Sequence, residues 1–215
     1  MNIRETQNGL EASFRAPTIR KKVKGQELVE FLLSIRQSGV DVDQLMFVCI
    51  GTDRSTGDAL GPLVGSMLEE AGYPHVQGTL QNPLDASNLL QRLENVRTVQ
   101  PARKAQTAKT AKTAQAALTS RKVIAIDACL GQPSSVASYQ VSNQPMEPGK
   151  SVGRALPLVG DYSIAAIVNI NGGNQYALLQ STPLYRVMTM AKEIASAIIT
   201  VFPLDKAPLE MEAKL

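Results

Sequence analysis

CIGTDRSTGDALGP (residues 49–62) joins two stretches with different periodicities. Before it, LMFVCI (45–50) is a continuous apolar run ended by Gly51, as expected for a strand buried on both faces. After it, Leu60, Leu63, Val64, Met67, Leu68 and Ala71 mark one stripe of a helix. Pro62 sits in the first turn, where its missing N–H costs nothing, and Gly72 closes the helix. The stretch is therefore the turn of a strand–turn–helix unit. A turn of this kind needs glycine and one capping residue, yet this one also carries Asp53, Arg54 and Asp58.

The same alternation extends in both directions. Leu28, Phe31, Leu32 and Ile35 predict an amphipathic helix over Gln26–Gln37, closed by Gly39. VQGTLQ (76–81) reads as a second strand, and DASNLLQRLENV (85–96) as a helix with Asp85 at its N-cap. KVIAIDACLG (122–131), SVASYQVS (135–142) and SIAAIVNI (163–170) read as further strands. A long helix comes next over 183–202, its core face drawn through Leu184, Val187, Met188, Ala191, Ile194, Ala195 and Ile198. Strands alternating with helices predict an α/β domain around a largely parallel sheet.

At 215 residues one domain is expected, placed here at 24–202. Residues 1–23 read as a flexible N-terminal arm and 203–215 as a C-terminal tail. The threonine-, alanine- and lysine-rich repeats at about 101–120 have too few large apolar residues for a core position and read as an exposed insertion. QPMEPGKSVGRALPLVGD (144–161) is a long Gly/Pro-rich loop, a length often associated with function.

Composition narrows the function classes. No uncharged apolar run approaches the ~20 residues that span a bilayer, and residues 1–17 lack a signal-peptide core, so a cytoplasmic protein is expected. Two cysteines, Cys49 and Cys129, make no disulfide framework and read as buried thiols. The net charge of +3 is concentrated in two basic segments, Arg20–Lys24 and residues 97–122. Without interleaved aromatics they read as solvated surface, and no nucleic-acid partner is expected.

In open α/β sheets ligands bind beyond the carboxyl ends of the strands. Two stretches put aspartate there: the turn containing Asp58, and VIAIDA with Asp127. If their strands are neighbours, the two carboxylates converge on one crevice. Phosphate binding fits poorly, because five residues separate Gly51 from Gly57 and Asp58 stands where a Walker A loop has lysine. Alone, Asp58 reads chiefly as a helix cap. As a pair in a low-dielectric crevice, two carboxyls can share a proton and activate a water, or hold a divalent metal.

Taken together, IGTDRSTGDALGPLVG, VIAIDACLG, MEPGKSVGRALPLVGDYSIAAIVNI and VMTMA resemble the YyaC-type sporulation proteins over about residues 24–202. That family is related to the spore germination protease and, more distantly, to the hydrogenase-maturation proteases. The resemblance implies a phosphorylase/hydrolase-like three-layer α/β/α fold with a mixed, mostly parallel sheet. It also implies an aspartic-type peptidase of the sporulating cell, with catalytic Asp58 and Asp127, no cofactor, and peptide or protein substrates such as small spore proteins. In the hydrogenase-maturation relatives acidic residues at these points bind nickel with a histidine, but this chain has no histidine after His75. A non-catalytic binding or regulatory protein on the same fold is the alternative.

Lesser assignments attach to nearby polar residues. Asp53 and Arg54 read as a local pair or as substrate contacts. Lys150 and Arg154 could orient a peptide carboxylate or carbonyl. Asp161 caps or lines the cleft, and Asn169 satisfies backbone groups or lines the same edge. The oligomeric state is not legible.

Overall fold

The computed structural model describes residues 18–93, 121–149 and 156–204. The 101–120 insertion, Lys150, Arg154 and most of the two termini lie outside the described residues. The elements are β1 (Arg20–Val23), α1 (Gln26–Gln37), β2 (Leu45–Cys49), α2 (Leu60–Glu70), β3 (Val76–Gln77), β4 (Lys122–Gly131), β5 (Ser138–Ser142), β6 (Tyr162–Ile170), α3 (Gln175–Gln180) and α4 (Leu184–Val201).

The strands form one mixed sheet in the order β1-β5-β6-β4-β2-β3. β3, β2, β4 and β6 are mutually parallel, while β5 is antiparallel to both β6 and β1. The fold is a three-layer α/β/α arrangement. Leu28, Phe31, Leu32 and Ile35 of α1 are all buried, as their spacing predicts, in a core with α2, α4 and one face of the sheet. On the other face a smaller cluster joins Met46, Val48 and Ile50 to Leu84, Leu89, Met146 and Val159. Residues 89–93 are helical there. The Gly/Pro-rich loop is pinned at its base, where Met146 and Val159 exchange two backbone hydrogen bonds of 2.9 Å.

Several expectations change. Arg20–Val23, assigned to the arm, form edge strand β1, paired with β5 from Arg20↔Ser142 to Val23↔Tyr139. RKKV shows only one buried side chain, Val23, so it carries almost no strand signal. Its basic residues do suit a sheet edge, where charge discourages further pairing. The second strand is only Val76–Gln77. In α4 the buried arc runs through Val187, Met190, Ala191, Ile194, Ala195, Ala197, Ile198 and Val201, whereas Leu184 and Met188 are exposed.

Two glycines let α2 lie directly against the backbone just past β2 and β3. A Cβ on Gly61 would strike the Ile50 carbonyl, and one on Gly65 would strike the Gly78 carbonyl. Both obstacles are backbone, so relief requires moving the helix that carries Asp58 at its start. Gly65→Ala is expected to destabilise the fold by about 3 kcal/mol, measured by urea unfolding. An unchanged midpoint would show that α2 can shift freely.

Candidate functional site

β2 and β4 are adjacent and parallel, in register from Leu45↔Lys122 to Cys49↔Ile126. Asp127 is the first residue of β4 past that pairing, and Asp58 lies in the turn leaving β2. The sheet thus brings the two aspartates to one carboxyl edge. Asp127 falls on the side of the sheet away from α2 and α4, since Ile126 and Ala128 point into the helix-covered core.

The turn is held from three sides. Gly51 donates to the Leu84 carbonyl at 2.9 Å, Thr52 donates to the Asp58 carbonyl at 3.2 Å, and Gly57 donates to the Leu179 carbonyl of α3 at 2.9 Å. Helix α2 begins after Ala59 with no side-chain cap. Ala59, not Asp58, holds the N-cap position, so Asp58 stands one residue before it. The Ser55 hydroxyl is buried and finds no partner in good hydrogen-bonding geometry, although it lies near enough to Asp58 to favour the ionised form.

Both carboxyls are perturbed upward. Burial raises Asp58, with Ser55 pulling it partly back. Asp127 is driven to about 8, chiefly by burial and also by the charge of Asp58, against the Ala128 N–H that donates to its Oδ1 at 2.8 Å. By surface area Asp127 is only half-buried, because it forms part of a cavity lining while protein surrounds it otherwise. The charge of ionised Asp58 adds to burial in holding the proton on Asp127. With its carboxyl raised to about 8, Asp127 holds its proton at neutral pH, the form a proton donor needs.

The cavity beside Asp127 has a volume of about 650 Å³ and reaches across β6 and β5 to β1. Ala165, Ser163, Ser142 and Gln140 line it, with Arg20 and Glu147 among its charged residues. Cys129, two residues beyond Asp127 on the same strand, also lines it. Burial and the neighbouring Asp127 push this thiol to about 12, so it is protonated at neutral pH and unsuited to nucleophilic attack. Cys49 is fully buried, and both cysteines are free. Among the described residues no group of three His, Cys, Asp or Glu side chains is placed to hold a metal ion.

The lesser assignments fare differently. Arg54 does not pair with Asp53. It reaches Asp85 at 2.8 Å, a partner distant in sequence, and Asp53 is exposed. Burial raises the Asp85 carboxyl, but Ser87 and Arg54 outweigh it and hold Asp85 below the usual range. With the Arg54 side chain 77% exposed, Arg54→Ala is expected to change stability by less than about 1 kcal/mol, read from thermal melts. A larger loss would make the pair a clamp on the turn.

Asp161 is not in the cleft. It accepts from Val123 N–H and Lys122 Nζ, both at 2.9 Å, at the amino end of β4. Five residues of strand, about 16 Å, separate that end from Asp127. Asn169 does lie at the carboxyl edge, where its amide donates to Leu178 O at 3.0 Å and Thr182 Oγ1 at 3.3 Å. It anchors α3, which in turn holds Gly57. Residues missed from sequence include Cys129 and the Gln140/Ser142 pair. The period-2 pattern of SYQVS puts both polar side chains on one face of β5.

No helix among the described residues is long and apolar enough to cross a membrane. The chain is 40% identical over 156 residues to the "Uncharacterized protein YyaC" of Bacillus subtilis (strain 168), a match covering 72% of this chain and 67% of that protein. Residues 18–197 match the family model described as "Protein of unknown function (DUF1256)", which spans β1 to most of α4. By that match the chain belongs to the DUF1256 family.

Proposed function

We propose that the protein is a peptidase in which Asp58 and Asp127 act as an acid/base pair around a water molecule. The observation that carries this reading is the pair itself: two carboxyls at the carboxyl edge of adjacent parallel strands, with Asp127 raised to about 8 chiefly by burial and further by the charge of Asp58. Ionised Asp58 would take a proton from the water as it attacks the peptide carbonyl. Protonated Asp127 would give its proton to the departing amine. The product carboxylate and amine account for every atom of water and substrate, and the pair then exchanges a proton with solvent to start again.

The resemblance to germination-protease relatives supports the reaction class and suggests substrates in the sporulating cell, small spore proteins among them. No metal or cofactor enters the scheme. The test is incubation of the full chain with small acid-soluble spore proteins and with a denatured, alkylated protein, the products read by mass spectrometry. New termini that require both aspartates are expected. Intact substrates across pH 5–9, together with recovery of one stable protein partner from sporulating cells, would instead favour a binding protein on this fold.

A further inference from the structure

The face of the sheet turned away from α1, α2 and α4 is covered unevenly. Leu84, Leu89 and the loop base at Met146 and Val159 pack with Met46, Val48 and Ala125 of β2 and β4. Across β6, β5 and β1 the same face is the floor of the cavity. Alternation fixes what that floor carries. Tyr139 and Val141 of β5, Ile164 and Ala166 of β6, and Val23 of β1 point into the helix-covered core. Gln140, Ser142, Ser163, Ala165 and Arg20 therefore lie on the cavity side. Strand pairing arranges them in rows. Asp127, Ala165, Gln140 and Lys22 lie opposite one another, and Ala125, Ser163, Ser142 and Arg20 make the next row. Alanine and serine in the middle leave a trough, with an acid at the β4 end and cations at the β1 end.

The two cations are held differently. Lys22 Nζ donates to Ser135 Oγ at 3.0 Å, and Lys22 takes no part in the lining. Arg20 does line the cavity and is the only cation among its described residues, whereas Asp127 and Glu147 are its acids. With the Gln140 amide turned so that both side chains are satisfied, its oxygen accepts from Arg20 Nη2 at 2.8 Å and from Arg20 Nε. That grip fixes the guanidinium by one edge and leaves its end-on edge, a fork that matches a carboxylate. Neither ion pair among the described residues involves Arg20.

We propose that an extended peptide lies along this trough and that Arg20, steadied by Gln140, binds a carboxylate of it, either an acidic side chain or the free C-terminus. Arg20 is the place in the cavity where an anion gains a partner. β5 and β1 stand two and three strand spacings from β4, roughly 10–14 Å, so the carboxylate belongs about three to four extended residues from the bond at Asp127. This deepens the peptidase reading, on which it rests only for where the cut falls.

Binding is therefore tested apart from cleavage, with the full-length Asp58→Asn/Asp127→Asn protein and a decapeptide library made with both amidated and free C-termini. The best binder is remade with each Glu or Asp replaced by its amide, and with its chain end amidated. Removing one carboxylate is expected to weaken binding about tenfold, and Arg20→Ala to cost as much and to erase that difference. Loss on side-chain replacement assigns the subsite to an acidic residue, and loss on amidation assigns it to the chain end. Arg20→Glu should reject the carboxylate peptide and favour its lysine counterpart. Arg20 is exposed on an edge strand, so thermal melts of both variants are expected to match the parent. No binding peptide, binders indifferent to every carboxylate, or a carboxylate preference that survives Arg20→Ala would overturn the subsite. Cleavage by the wild-type chain that is unchanged by Arg20→Ala would overturn it while the peptidase reading stands. Arg20-dependent binding without cleavage by the wild-type chain would do the reverse.

Discussion

Asp58→Asn and Asp127→Asn are each expected to lower peptide-bond cleavage by about 10³-fold or more, and the double variant by scarcely more than either alone. Residues that act as one unit are not additive, because removing either member already disables the mechanism. The two substitutions differ in what they leave. Asn at 58 removes the base and also the charge that adds to burial in raising Asp127. Asn at 127 removes the proton donor but keeps an oxygen able to accept from Ala128. With wild-type protein, the rate should fall as pH rises through about 8, where Asp127 loses its proton. On the acid side it should fall as Asp58, itself raised by burial, becomes protonated. Peptide cleavage measured from pH 4 to 10 gives this profile directly. Full activity in either single variant would remove that residue from the chemistry.

Stability should show the opposite sign from the usual carboxylate. Most acidic groups are more acidic when folded and stabilise the fold above their unfolded pKa. Asp127 is less acidic when folded, at about 8 against an ordinary value of about 3.9 in the unfolded chain. Between those values the native state holds a proton that the unfolded state has released, so stability declines as pH rises through this window and levels off above it. Wild-type Tm is expected to drop by about 5 °C or more from pH 5 to pH 9. Asp127→Asn should flatten that decline and melt higher than wild type at pH 9, with little difference at pH 4. Scanning calorimetry of both proteins checks it. Parallel curves for the two would mean that Asp127 ionises as freely folded as unfolded.

The strand–turn–helix unit is legible in residues 45–72 because each segment has its own period and the breaks fall at glycine or proline. The adjacency of β2 and β4, only a condition at the level of sequence, holds in the sheet and delivers the convergence of Asp58 and Asp127 on one edge. The elements that escape the sequence share a physical origin. RKKV has no alternation to reveal a strand, since its partner β5 and its place at the sheet edge make it one. Helix α3 is only six residues long, too short for a periodicity signal, and is fixed by the Asn174 side chain and by Asn169. The Arg54–Asp85 pair depends on the segment after β3 folding back beside Ile50.

Asp161 is different, because its place can be deduced. It stands just before β6, and a residue preceding a parallel strand lies at the amino edge, away from the ligand side. The buried face of α4, by contrast, depends on tertiary contacts. Its arc meets α1 and α2 as well as the sheet, so Met190 and Val201 enter the core and Leu184 and Met188 turn outward.

The central claim is that Asp58 and Asp127 titrate as a coupled pair. Carboxyl ¹³C NMR of aspartate-labelled protein, tracked from pH 3 to 10 in wild type and in Asp58→Asn, measures this without any substrate. One carboxyl titrating near 8, assigned to Asp127 and moving downward when Asp58 is neutralised, is the predicted result. Two carboxyls titrating independently near the ordinary value of about 4, with Asp127 indifferent to Asp58→Asn, would contradict it.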